Sequence, residues 1–275
     1  MTALATEMGG RVVESTKPGD RIGLPLFFVL LFLSWIGTVP IILSSYGARF
    51  PGVLKLLQIL MLFGPGIAAC FAAWMNGGRK GVRDLLRGLL IWRVHPAVYA
   101  AVLAGPALVF ALVLILSNAA GFTAISFPSA AKFFSSFGMT MAVYLVLNTE
   151  ELAWRGYALP RLQARMGPLP ATLVLTILWI LFHLPLFWIK GGHPAGYPFW
   201  LFALLIGGIS IPFTAVYNGT GGSILMAHLL HQSFNASVEA LPIFPAAIHS
   251  LAPIEITVAL FFAVSAVLAL RMRSL

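Results

Sequence analysis

Residues 169–189 read LPATLVLTILWILFHLPLFWI. An apolar run of roughly 20 residues is long enough to cross the hydrocarbon core of a bilayer as a helix. This run has that length and carries no Asp, Glu, Lys or Arg. Its most polar group is His183, one turn after Trp179 and just before Pro185, where the missing amide and the ring should kink the helix. The stretch therefore reads as a membrane span with an imidazole placed where lipid would otherwise be.

Similar runs recur on both sides: Leu24–Ser45, Leu56–Met75, Pro96–Leu116, Phe133–Leu152, Phe199–Tyr217, Gly222–Ala240 and Leu251–Leu270. About eight spans are expected, in an all-α polytopic transmembrane bundle with amphipathic helices at its interfaces. Composition agrees. Apolar residues make up 60% of the 275 and charged residues 9%, against about a quarter charged in soluble domains. So few charges cannot clothe a water-facing surface of this size, whereas lipid requires none. One integral membrane domain, residues 24–275, is expected behind a polar N-terminal tail, residues 1–23. The first run is too long for a cleaved signal peptide and lacks a small-x-small site after it, so it should stay as an anchor.

The formal charge of +9 does not point to nucleic acid. The basic residues lie between apolar runs, without the aromatic interleaving of a single-strand binder, and suit lipid headgroups instead. With the N-terminus inside, the inner segments carry Arg11, Lys17, Arg21, Arg79, Lys80, Arg83, Arg87, Arg93, Arg155, Arg161, Arg165, Arg271 and Arg273. The outer ends carry Arg49, Lys55, Lys132 and Lys190. This bias predicts both termini in the cytoplasm, and a prokaryotic cell membrane is the expected location. Gly78–Trp92 interleaves basic and apolar residues as an interfacial helix does. Arg155–Arg165 reads as a second basic connector, and Lys190–Pro198 as a Gly/Pro-rich loop. Cys70 is the single cysteine, which excludes a disulfide within the chain and makes it a small packing residue.

Strongly polar residues inside spans mark function by default. Glu150 and Glu151 end the fourth run. Glu151 and Arg155 are four apart and can pair, which fixes the helix end. Glu150 points elsewhere, about 100° round the helix, without a local cation, and is placed to act as a general base. The plainer reading of both acids is a solvated helix end. His183 alone is equally well a hydrogen-bonded bundle residue. His228, His231 and Asn235 are spaced by three and four and share one stripe, which exceeds what helix adhesion needs. Together these groups suit water attack on a carbonyl. Glu150, His183 and His231 also match a zinc ligand set, and they can equally hold a water without metal.

Glu150-Glu151-Leu-Ala-Trp-Arg155, Trp179-Ile-Leu-Phe-His183 and His231-Gln-Ser-Phe-Asn235 resemble the three ordered motifs of the CAAX protease and bacteriocin-processing family, also called the Abi or type II CAAX prenyl endopeptidase family. The resemblance spans about residues 133–240. It departs in having Trp179 where the family usually has Phe, and in the additional His228. It implies an intramembrane (metallo)endopeptidase acting on a peptide or protein at the membrane, such as a prenylated CAAX-type peptide. Glu150 would activate water with His183. His231 and Asn235 would complete the site and stabilise the oxyanion. Glu151 and Arg155 would shape the helix end, with His228 as a supporting residue and zinc as the expected metal. The cavity is expected to open toward the cytoplasmic leaflet. Two other classes compete: a proton-coupled transporter, and a non-catalytic immunity or scaffold protein on the same fold.

Overall fold

A computed structural model describes residues 20–49, 51–124, 126–191, 196 and 198–272. Most of the expected tail, most of the 190–198 loop and Arg273 lie outside these residues. Twelve α-helices occur among the described residues: α1 (Asp20–Leu33), α2 (Val39–Ser45), α3 (Gly52–Lys55), α4 (Ile59–Arg87), α5 (Pro96–Ala119), α6 (Ala130–Leu147), α7 (Leu159–Met166), α8 (Pro168–His183), α9 (Phe199–Gly219), α10 (Ile224–Ala240), α11 (Pro245–Ile248) and α12 (Ala252–Met272). The first helix already includes Asp20–Gly23, which the sequence assigns to the tail.

Among the described residues, seven helical segments are long and apolar enough to cross a membrane, and the chain is an integral, multi-pass membrane protein. The expectation was about eight. The run Gly222–Ala240 forms the 17-residue α10, which falls short of the others because Ser223 caps its start and a buried polar stripe fills its middle. It still connects the two ends of the bundle. At one end, Ser223 Oγ donates to Ile91 O at 2.7 Å. At the other, Glu239 shares a wall with Thr38 and Ile189.

Contacts between connectors sort them onto two faces. Asn76 Nδ2 donates to the Tyr157 hydroxyl at 2.8 Å, and Gln163 Nε2 donates to Asn218 Oδ1 at 3.2 Å. Gly88 and Gly156 both lie against Ile224. These tie residues 76–93, 156–163 and 218–224 to one face. On the other, the amide of Lys190 donates to Ser45 Oγ at 2.9 Å. The first face carries Arg79, Lys80, Arg83, Arg87, Arg93, Arg161 and Arg165, and is called the basic face below.

Within α4, Gly77 and Gly78 leave helical geometry, with Gly78 at φ 55° and ψ −145°. Glycine adopts that conformation without a Cβ clash. The break separates the spanning part from the amphipathic segment, where Asp84 pairs with Lys80 at 2.7 Å and Arg87 at 2.9 Å.

Lipid gives helices little hydrophobic reason to associate, so close packing of small residues does that work. Ala68, Ala69, Ala72 and Ala73 of α4 are buried in the cluster that also holds Phe27, Leu31 and Tyr157. Gly37 follows the same logic. A Cβ there would lie 2.5 Å from Leu57 O and 2.7 Å from Met61 N. Gly37→Ala should therefore destabilise the fold by about 1–3 kcal/mol through overpacking, read as a lower thermal midpoint in detergent.

Candidate active site

The run expected to continue from Phe133 to Leu152 breaks at Asn148. That residue ends α6 with extended backbone, φ −86° and ψ 119°. Its side-chain Oδ1 accepts from the amide of Glu150 at 2.9 Å, as an N-capping residue does for a new helix. Thr149 anchors the break. Its hydroxyl accepts from the amide of Gly66 at 3.0 Å and donates to Leu62 O at 2.9 Å. It thus inserts into a single i→i−4 rung of α4. The chain then winds as a π-helix over Leu152–Ala158, a geometry found mostly as short insertions at functional sites.

This local structure sends the two acids in different directions. Glu151 is fully buried beside the fully buried Arg155. Its Oε1 accepts from Arg155 Nη1 at 2.8 Å and from His231 Nδ1 at 2.8 Å. The guanidinium lies 4.4 Å from the ring centre of Trp179 and 4.6 Å from that of Phe213, so aromatic faces compensate part of its lost hydration. Arg155 is therefore a core residue, and its expected place in a basic surface connector is corrected. With Nδ1–H committed to Glu151, the neutral form of His231 carries its lone pair on Nε2.

Glu150 faces the cavity. Its Oε2 accepts from Trp179 Nε1 at 3.0 Å and Trp154 Nε1 at 3.2 Å. Its Oε1 lies 3.4 Å from Asn148 Nδ2. His183 Nδ1 lies 2.9 Å from Trp179 O. A carbonyl can only accept, so Nδ1 carries the proton and the neutral ring offers Nε2 as acceptor. That Nε2 is 3.9 Å from Glu150 Oε2, a separation suited to a shared water.

Glu150, His183, His231 and Asn235 line one cavity of about 640 Å³, together with Asn148, Tyr144, Trp35 and Glu239. Four expected residues thus meet at one site, with Glu151 and Arg155 directly behind it. His228 does not join them. Its Nε2 donates to Leu145 O at 3.1 Å, a carbonyl in the last turn of α6 that lacks an intrahelical partner. His228 fastens α10 to α6.

Sequence reasoning missed Asn148 and Trp154. Asn148 carried a legible signal, an Asn two residues before an acidic first turn. Trp154 sits four residues after Glu150, a spacing that brings side chains together. The outer wall of the cavity is built from Thr38, Met61, Leu186, Ile189, Glu239 and Phe244, which lie toward the face of Ser45 and Lys190. The opposite side is closed by Trp154, Arg155 and Tyr157, none of which is exposed. The cavity therefore opens away from the basic face, because the acids lie at a buried break rather than at a basic interfacial helix end.

Among the described residues, no three His, Cys, Asp or Glu side chains converge closely enough to share a metal ion. The set of Glu150, His183 and His231 does not fit zinc in this arrangement.

Removing one partner of a buried ion pair leaves an uncompensated charge, at a cost of about 3–5 kcal/mol. Arg155→Ala should lower the thermal midpoint in detergent strongly, and a midpoint like that of the parent would contradict the pairing. Thr149→Val keeps shape but deletes the inserted hydroxyl. It should cost roughly 1–3 kcal/mol and reduce turnover of any substrate by shifting Glu150.

Residues 132–237 match the family model described as type II CAAX prenyl endopeptidase Rce1-like. A Methanococcus maripaludis protein named CAAX prenyl protease 2 is 24% identical over 249 residues, which cover 84% of this chain and 88% of the relative. The three polar motifs fall inside the matched region, over which the chain is similar to this family.

Proposed function

We propose that the protein is an intramembrane endopeptidase that hydrolyses a peptide bond with water activated by Glu150. The observation that carries this reading is the mounting of Glu150. Two indole N–H groups hold its carboxylate in a cavity that also contains His183, His231 and Asn235. A carboxylate fixed in this way loses little freedom on reaching the transition state. Similarity to the type II CAAX prenyl endopeptidase model and to a protein named CAAX prenyl protease 2 supports a protease.

In this mechanism a water sits between Glu150 Oε2 and His183 Nε2 and hydrogen-bonds to both. Its oxygen attacks the scissile carbonyl while Glu150 takes one proton. The tetrahedral oxyanion is stabilised by the Asn235 amide. It is also stabilised by His231 when that ring is protonated, with Nδ1–H held by the Glu151 carboxylate and Nε2–H left to donate. As the C–N bond breaks, Glu150 returns the proton to the leaving amine. Glu151 and Arg155 touch no reacting atom and act through His231. The substrates are membrane-associated peptides, with prenylated CAAX-type peptides as one class.

Glu150→Ala should insert, fold and lose about 10²–10⁴-fold in turnover, the range for a positioned general base. The measurement is peptide hydrolysis by purified protein in liposomes, using a mixed library that includes farnesylated CAAX peptides. Full hydrolysis by the variant would remove Glu150 from the mechanism. Loss of activity with a chelator, restored by zinc, would replace the metal-free scheme.

A further inference from the structure

The chain carries a formal charge of +9, yet its large cavity does not share that sign. Among the described residues, the cavity lining includes Glu150 and Glu239 and no Lys or Arg. Two of the acids in this region already have partners. Glu150 is held by the indoles of Trp154 and Trp179, and Glu151, behind it, by Arg155. Glu239 differs. It is exposed, and among the described residues its carboxylate makes no ion pair and no hydrogen bond. Lys190 follows the lining residue Ile189, but it does not pair with Glu239. A charge of one sign on the wall of a cleft with low-dielectric sides concentrates its field there and attracts the opposite charge.

Its position makes this attraction selective. His231, Asn235 and Glu239 recur every four residues on α10 and share one stripe of that helix. Each such step rises about 6 Å. Glu239 thus stands one turn beyond the Asn235 amide, on the way out of the cavity. An extended peptide advances about 3.3 Å per residue. The side chain that meets Glu239 therefore belongs to a residue about two positions from the scissile carbonyl. Lys and Arg have the long apolar stems that reach along an apolar wall to such a carboxylate.

Charge also sets direction. A peptide cut close to its carboxyl end carries a free carboxylate beyond the bond, and Glu239 repels it. That half lies away from Glu239, and the half before the bond lies along it. On the reading of the cavity as a peptidase site, we infer that Glu239 is a specificity residue that pairs with Lys or Arg on the amino-terminal side of the scissile bond and so fixes which way the peptide lies. The preferred substrate is a membrane-associated peptide with a basic residue about two positions before the cut.

The test compares captured peptides. Protein in nanodiscs of zwitterionic lipid is offered farnesylated CAAX-type peptides that carry Lys, Gln or Glu at each position before the cysteine. The Glu150→Ala background keeps retained peptides whole, and mass spectrometry reads their composition. With Glu239 present, Lys peptides should be retained over Glu peptides. Glu239→Gln should reduce that preference about three- to fivefold, and Glu239→Lys should reverse it toward Glu peptides. General damage to the fold lowers retention of all peptides alike and cannot reverse a preference. An unchanged preference in Glu239→Lys, beside intact Glu150-dependent hydrolysis by the parent, would overturn the inference and leave the peptidase reading standing. Reversal without any hydrolysis by the parent would reject the peptidase reading and leave Glu239 as the contact for the ligand's cation. Retention of no peptide at all would overturn both.

Discussion

Glu151 is the residue on which the site depends. One of its oxygens receives both Arg155 and His231, so a single buried carboxylate couples the π-helical segment to α10. Burying an acid and a guanidinium is costly in lipid surroundings, and the attraction between them is rarely a net gain over apolar packing. What the pair supplies is uniqueness of arrangement. The His231 ring has its Nδ1 fixed, and Trp179, which holds Glu150, lies against the same guanidinium. Any other packing of these helices would strand a charge.

The architecture was legible because its signals are local. Apolar length fixes a span, and the spacing of Glu151 and Arg155 fixes their pairing whichever helix type carries them. His231 and Asn235 share a helical stripe, and both border the cavity. What one-dimensional reading could not supply was the break at Asn148. The run from Phe133 to Leu152 is apolar enough to look continuous. Its interruption comes from a side-chain cap and from a threonine hydroxyl inserted into a distant helix. The same limit applies to His228. On the stripe it is indistinguishable from His231, and only the carbonyl end of α6, contributed by another part of the chain, assigns it a fastening role.

Direction was the other thing hidden from sequence. Counting from apolar runs placed Glu150 and Glu151 at a span end among basic residues. The chain instead continues downward from these acids through a buried turn, so that Arg155 joins the core while Arg161 and Arg165 remain at the connector. A basic residue near a span contributes to topology only when it reaches the headgroups. The distinction between Arg155 and Arg161 is thus one of depth, and six residues of chain separate the two roles.

The π-helical turn at Leu152–Ala158 has a consequence for how this region tolerates change in length. Such a turn accommodates an extra residue within a helix. Losing one residue there would let the segment relax to an ordinary α-helix while the helix on either side keeps its direction. Substitutions in this stretch act on single contacts, whereas a one-residue deletion would re-aim the side chains within the turn, Trp154 and Arg155 among them. Insertions and deletions are normally absorbed at loops. Here a length change can be absorbed inside a helix, at a cost to the side chains that the turn aims rather than to the helices it joins.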